Sequence, residues 1–253
     1  MKTRELLASI ESGITSQHER EYFWTHAARY AHILDTVTQF LDSRVRGNDT
    51  TVKVLDVGCF PYHLGAALET LGFDVYGISS QHEPIKRSKI KICNIENDKF
   101  PFKDNFFDLV IFTEVLEHLP QSPLHAIKEI YRVLSPGGHI IITTPNIARS
   151  INRAKLLLGK SVTYPLQQLL ENDGKGSTIY HRHNREYTVY EVAQLCRLAG
   201  FSIDTATTFV SYTPWRRRAT RDSIWIKAGK IANYALMCMI ENLRDTILIV
   251  GKK

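Results

Sequence analysis

Phe106 to Leu119 read FFDLVIFTEVLEHL. Within this stretch Asp108 to Thr113 (DLVIFT) joins four apolar residues, rich in β-branched and aromatic types, which is the composition of a strand buried on both faces. The polar turn Lys103 to Asn105 bounds it in front. Behind it, Pro123 to Val133 (PLHAIKEIYRV) places apolar residues at helical steps, Pro136-Gly137-Gly138 turns the chain, and His139 to Thr144 (HIIITT) gives another apolar strand. Strand, helix and strand in that order make a crossover between parallel strands, so the stretch predicts an α/β sheet with helices on its faces.

The same alternation extends upstream. Val52 to Val57 (VKVLDV) reads as a strand, His63 to Leu71 as a helix ended at Gly72, Asp74 to Ile78 (DVYGI) as a second strand and Ile90 to Ile95 (IKICNI) as a third. Downstream, Arg149 to Leu158 reads as an apolar helix and Glu171 to Arg185 has no clear periodicity. Thr188, with Glu191 three residues on, opens a helix in a capping-box arrangement that Gly200 closes. Phe201 to Phe209 and Ile247 to Val250 read as strands that can pair antiparallel at a sheet edge. The expectation is an α/β fold, a doubly wound Rossmann-like sheet of about seven strands, mostly parallel with an antiparallel edge strand and helices on both faces. Ahead of it, Gln17 to Ser43 carries Phe23, Ala27, Tyr30, Ala31, Leu34, Val37 and Leu41 at steps of three and four, an amphipathic helix that a shorter one near Arg4 to Glu11 precedes. The polar segment Asp42 to Thr51 separates these helices from the rest. The expected organisation is a helical cap over residues 1–46 and a core over 47–253, with acceptor-side insertions at about 145–187 and 210–245.

Composition narrows the class. Of 253 residues, 43% are hydrophobic and 23% charged, which sets aside disordered, collagenous and disulfide-scaffold chains. The net charge of +6 is compatible with an anionic ligand or membrane surface but too mild to demand nucleic acid. Cys59, Cys93, Cys196 and Cys238 form no CxxC pair and lie in or beside apolar segments, as in a reduced cytoplasmic chain. Met1 to Ile10 lacks the apolar run of a signal peptide, and the greasiest stretch, Ile231 to Ile240, is about half of what spans a bilayer. Trp215 to Arg221 (WRRRATR) is a basic run beside an aromatic, and Ser223 to Leu243 follows as an apolar-rich helix. That pairing suits peripheral contact with the inner face of a membrane through residues 215–243, and equally a cover over the acceptor cleft or a homodimer face.

Ligands of open α/β sheets bind beyond the carboxyl ends of the strands. The first strand ends Val54-Leu55-Asp56-Val57-Gly58, and an acidic residue with a glycine two residues later lets the backbone pass close to a ligand. Together with VYGI at the second strand, FPFKDNFFDLVIFTEVLEHL across the fourth and EIYRVLSPGGHIIITTPN across the fifth, this order of segments resembles the class I S-adenosylmethionine-dependent methyltransferases, in particular the group that includes the ubiquinone-pathway O-methyltransferases. The resemblance covers roughly Val52 to Phe201. It implies S-adenosylmethionine as cofactor, held around Asp56, Gly58, Phe60, Ser79, Asn94, Ile95 and Thr113, with the N-terminal helix closing over it through Tyr22, Arg29 or Tyr30.

Three departures fall on that site. Phe60 and Tyr62 stand where the family has glycines, with Pro61 between them; Ser79 replaces the carboxylate that accepts from the ribose hydroxyls; and Asn94 replaces an adenine-contacting Asp. A hydroxyl makes one such bond without charge, and charged hydrogen bonds contribute about 1.5–3 kcal/mol against about 1 for neutral ones. The departures fit binding weakened on the order of a hundredfold, or a catalytically silent scaffold that has lost its ligand. The retained turn length with Asp56 and Gly58 favours binding.

Methyl transfer from a sulfonium is an in-line displacement in which the protein supplies alignment, and a hydroxyl acceptor gains from a nearby base. By the resemblance His118 lies just past the fourth strand near the methyl-donor end, although it also reads as a structural helix-start residue. His181 and His183 in HRHNRE are candidates for base or acceptor anchor. A metal is not expected from this cluster, because zinc takes three or four ligands and no Cys or carboxylate stands at motif spacing. The expected reaction is O-methylation of a small-molecule, glycan or lipid-linked acceptor. Nucleic acid is not expected, since no base-flipping motif of the Asn-Pro-Pro-Tyr type is present.

Overall fold

A computed structural model describes residues 3–42, 51–80, 85, 87–167, 178–211 and 223–253. The basic run Trp215 to Arg221 and most of the expected boundary at Asp42 to Thr51 lie outside the described residues. In chain order the elements are α1 (Thr3–Ser12), α2 (Gln17–Asp42), β1 (Lys53–Val57), α3 (His63–Thr70), β2 (Asp74–Ser79), β3 (Ile90–Ile92) and β4 (Phe107–Thr113). A 3-10 turn, Leu116–His118, leads to α4 (Leu124–Val133), β5 (Leu134–Pro145), α5 (Ser150–Leu157), α6 (Thr178–His181), α7 (Val189–Leu198), β6 (Ser202–Phe209), α8 (Ile224–Met239) and, after the turn Glu241–Leu243, β7 (Thr246–Lys252).

The strands form one seven-stranded sheet in the order β3-β2-β1-β4-β5-β7-β6, and β7 runs antiparallel to both of its neighbours. Side chains alternate between the two faces, as strand geometry requires. Leu55, Val57, Val110, Phe112, Ile140 and Ile142 bury on the face covered by α4 and α7, while Val54, Leu109, Ile111 and Ile141 bury on the face covered by α1, α2 and α3. The N-terminal helices therefore share a core with the sheet: Leu6, Phe23, Ile33 and Val37 sit in the same cluster as Ile111 and Val250.

Several expected boundaries shift for physical reasons. The third strand stops at Ile92, not Ile95, because the following backbone is taken by side chains: Asn94 N–H donates to Asp98 Oδ2 at 3.0 Å and Glu96 N–H to Asn94 Oδ1 at 3.1 Å. Pro136-Gly137-Gly138 does not precede the fifth strand but forms a bulge within it, between Phe107↔Leu134 and Leu109↔His139. The chain terminus pairs onto that bulge, with Gly137 N–H donating to Lys253 O and Lys253 N–H to Gly138 O. The C-terminal helix ends at Met239 because Ile240 turns extended, and Glu241–Leu243 is a separate turn. The capping box at Thr188 and Glu191 forms as read from the sequence.

Candidate active site

A cavity of about 580 Å³ opens beyond the carboxyl ends of β1, β2 and β4. Its floor is the turn after β1. Gly58 has φ +82°, and its N–H and that of Cys59 both donate to Ile78 O, at 2.9 and 3.1 Å. A Cβ on Gly58 would lie 2.3 Å from Val115 Cγ2, so only a residue without a side chain lets the turn lie against Val115. The two bulky residues that follow take different directions. Phe60, half exposed, lines the cavity. Tyr62 turns away: its hydroxyl donates to Glu69 Oε1 at 2.9 Å, and the Arg87 guanidinium lies 4.4 Å from the ring centre. Gly65 makes the space, since a Cβ there would meet Tyr62 Cε2 at 2.2 Å.

Of the cofactor residues expected from the sequence, Gly58, Phe60, Ser79, Asn94 and Ile95 line this cavity together with Asp98. Asp56, Thr113 and Tyr30 do not. Asp56 is only 4% exposed within β1, between Gly77 and Ile111, and burial pushes its carboxyl up to about 7. Tyr30 packs inward against Phe23 and His63. One residue earlier on the helix, about 100° around it, Arg29 faces the cavity with Tyr22 and His26. Thr113 ends β4, and the next residue, Glu114 at φ +54°, is the one on the wall. Arg29 Nη1 donates to Glu114 Oε2 at 2.8 Å and Thr143 Oγ1 to Glu114 Oε1 at 2.9 Å.

Because the folded Asp56 carboxyl holds its proton to about 7 while the unfolded group releases it near 4, the folded chain binds the extra proton in between. Stability from this group is greatest below pH 4 and falls as pH rises to about 7, with a slope of up to about 1.4 kcal/mol per pH unit. Asp56→Asn is expected to flatten that slope. Chemical denaturation between pH 4 and 8 checks it, and an unchanged slope would refute the assignment.

The polar end of the cavity is built from two distant segments. The turn Leu116–His118 contributes Glu117 and His118, and residues 180–183 contribute Tyr180, His181 and His183. Asn184 joins them: its N–H donates to Glu117 O and its Nδ2 to His118 O, both at 2.7 Å. His118 Nδ1 faces Arg182 O at 3.0 Å, and burial, with His183 beside it, lowers its pKa to about 4, so the imidazole is neutral. The His118 and His183 rings meet edge to face, with centres 5.0 Å apart. His183 Nδ1 lies 3.2 Å from Glu186 Oε1, and Arg149 grips that carboxylate with two bonds of 2.6 and 3.0 Å. Glu117 is 1% exposed, and its Oε2 accepts from Thr144 Oγ1 at 2.9 Å. Burial, and then the nearby Glu114, raises its pKa well above the usual carboxylate value. Glu96 holds Tyr180 and the backbone of Gln121. The three histidines stand out in the sequence, whereas Glu96, Glu114, Glu117 and Glu186 do not. The available signal was the Glu-x-x-Glu-His spacing directly after a strand end.

A family model for a methyltransferase domain matches residues 17–206. The ubiquinone biosynthesis O-methyltransferase of Acinetobacter baylyi is 27% identical over 204 residues, covering 76% of this chain and 77% of the relative. The mitochondrial enzyme of the same name from Mus musculus is 36% identical over 109 residues, covering 38% of this chain and 29% of that protein. Among solved structures, a possible histamine N-methyltransferase from Thermotoga maritima superposes with a TM-score of 0.55 at 19% identity, covering 98% of this chain and 99% of that one. A methyltransferase dependent on S-adenosylmethionine from Archaeoglobus fulgidus gives 0.52 at 14% identity, covering 87% and 94%. These structural likenesses show the fold.

Proposed function

We propose, from the premise that this chain belongs to the methyltransferase-domain family and takes its methyl group from S-adenosylmethionine, that the acceptor atom is a hydroxyl oxygen of a small-molecule, glycan or lipid-linked compound. The observation that carries the reading is that one cavity runs from the Gly58 turn to the histidine and carboxylate cluster. Its volume, about 580 Å³, lies within the range of ligand pockets. The residues fit the donor. The bare turn at Gly58 leaves backbone at the floor, Ser79, which the resemblance assigns to the ribose, lines the same cavity, and Asn94 with Asp98 offers acceptors to an exocyclic amine. The cofactor supplies an electrophilic methyl group. The protein's part is to hold donor and acceptor in line and to exclude water, with Tyr22, His26 and Arg29 forming the cover. The acceptor oxygen belongs at the opposite end, beside His118 and His183. The named O-methyltransferase relatives support oxygen as the atom.

The test is transfer of labelled methyl groups from S-adenosylmethionine to a fractionated cell extract. Label in a small-molecule or lipid fraction that survives mild base supports a methyl ether. Label released by base, or retained on amines or protein, contradicts it.

A lipid-linked acceptor has one observation in its favour. Helices α5 and α8 are joined by Ser150 Oγ donating to Asn233 Oδ1 at 2.6 Å, and both present apolar side chains outward: Leu157 at 88% exposure, Trp225 at 83% and Met239 at 83%. The same helices carry Lys155, Lys227 and Lys230. Such a face suits an anionic interface, and no helix among the described residues is long and apolar enough to cross a membrane. Co-flotation with anionic vesicles at low salt, lost in Trp225→Glu, is the expected result, and absence of co-flotation removes this version.

A further inference from the structure

A histidine that takes a proton must offer a lone pair to the acceptor, and which nitrogen offers it is set by what the other one meets. His183 lines the cavity, and its Nδ1 lies 3.2 Å from Glu186 Oε1. Burial opposes ionisation of Glu186, yet its hydrogen bonds to His183 and Arg149 hold the carboxyl down to about 2. It is therefore a carboxylate at neutral pH. A carboxylate only accepts, so His183 Nδ1 carries the hydrogen and Nε2 keeps its lone pair.

Glu186 is itself held in place from the end of β5. Arg149 Nη1 and Nη2 donate to its two oxygens at 2.6 and 3.0 Å, and Nδ2 of the buried Asn152 donates to Oε2 at 3.3 Å. The next residue, Tyr187, is seated on the same junction, where its carbonyl accepts from Ile147 N–H at 2.9 Å. Because the bidentate guanidinium offsets the carboxylate charge, what Glu186 gives His183 is orientation and tautomer. His118 is held differently. Its Nδ1 meets a neutral carbonyl, Arg182 O, and burial, with His183 beside it, lowers its pKa to about 4. Such an imidazole is a weak base at neutral pH, and its ring serves as an edge-to-face support for His183, with centres 5.0 Å apart.

We propose that Glu186, clamped by Arg149 and Asn152, is a positioning residue that fixes His183 in the tautomer of a general base, with Nε2 left for the acceptor hydroxyl. The base role rests on the O-methylation reading. The acceptor oxygen forms a bond to the methyl carbon as the sulfur–methyl bond breaks, the hydroxyl proton passes to His183 Nε2, and the sulfonium becomes a neutral thioether. Glu186 accepts from Nδ1 throughout and is not protonated. The imidazolium, whose side chain is 43% exposed, then releases its proton to water.

The experiment starts with proton–nitrogen correlation spectra of the full chain, its histidines labelled with heavy nitrogen, at mildly alkaline pH, the His183 signals being those that His183→Ala lacks. The Nδ1–H tautomer is expected. In Glu186→Gln the single amide oxygen is taken by Arg149 and the amide nitrogen turns to His183, so the Nε2–H tautomer is expected there. The rate of labelled methyl transfer to the extract fraction that accepts it should then fall about 10²- to 10⁴-fold, with affinity for S-adenosylhomocysteine unchanged. His183→Ala should lose as much rate and regain part of it with added imidazole, and because His183 is exposed its truncation does not threaten folding even if Glu186→Gln does. An Nε2–H tautomer in the wild type, or undiminished transfer by Glu186→Gln or His183→Ala, overturns the proposal. The tautomer is read without donor or acceptor, so its failure leaves the methyl-transfer reading standing. A wild-type chain that binds no donor and labels nothing removes the base role together with that reading.

Discussion

Gly58→Ala is expected to weaken binding of S-adenosylhomocysteine by about a hundredfold or more and to lower the unfolding midpoint. Two effects add at one atom. The residue holds φ +82°, where a side chain costs roughly 1–2 kcal/mol. The new Cβ would also sit 2.3 Å from Val115 Cγ2, and overpacking of this kind costs about 1–3 kcal/mol. Because that turn is the floor of the donor cavity, relief by moving the turn distorts the site itself. A combined effect near 3 kcal/mol corresponds to a loss of about a hundredfold or more. The double variant Gly58→Ala with Val115→Ala removes the clash and keeps the dihedral cost, so it should recover part of the affinity. Calorimetry on both variants checks this, and a single variant that binds like the wild type would refute the role of the turn.

Arg29→Met is the second large effect. Arg29 and Glu114 are an ion pair whose side chains are only 11% and 18% exposed, and Glu117 stands close enough to Glu114 to raise its own pKa. Removing one partner of a buried pair leaves an uncompensated charge, at a cost of about 3–5 kcal/mol. Here the neighbouring carboxyl, Glu117, offers the stranded carboxylate no compensating charge. Glu114→Gln in the Arg29→Met background should restore much of the stability, which separates charge from packing. The measurement is denaturant unfolding of both variants. An Arg29→Met chain as stable as the wild type would show that the pair contributes little.

The alternation that decides the fold lies in DLVIFT, VLDV and HIIITT, because strands buried on both faces must be apolar throughout and are bounded by turns. The antiparallel edge was legible for the same reason. Ends of elements were less legible where side chains compete for the backbone, as Asn94 and Asp98 do after Ile92, or where the partner is remote, as with the terminal Lys253 on the Pro136–Gly138 bulge. In the site, Gly58 and His118 were readable from position relative to strand ends. Of Tyr22, Arg29 and Tyr30, the residues expected to close over the cavity, the helical phase puts Tyr22 and Arg29 there and Tyr30 in the core. Of the two bulky residues that stand where the family has glycines, Phe60 lines the cavity while Tyr62 folds back over Gly65. His118 could not be matched to His183 from spacing, because the latch through Asn184 joins positions 66 residues apart.

The central claim is that a turn carrying Phe60 and Tyr62 in place of glycines still binds the donor. Titration of the purified full chain with S-adenosylhomocysteine tests it most directly. One site per chain, with binding weakened about a hundredfold or more in Gly58→Ala, is the expected result. No heat and no thermal shift at millimolar ligand would contradict it.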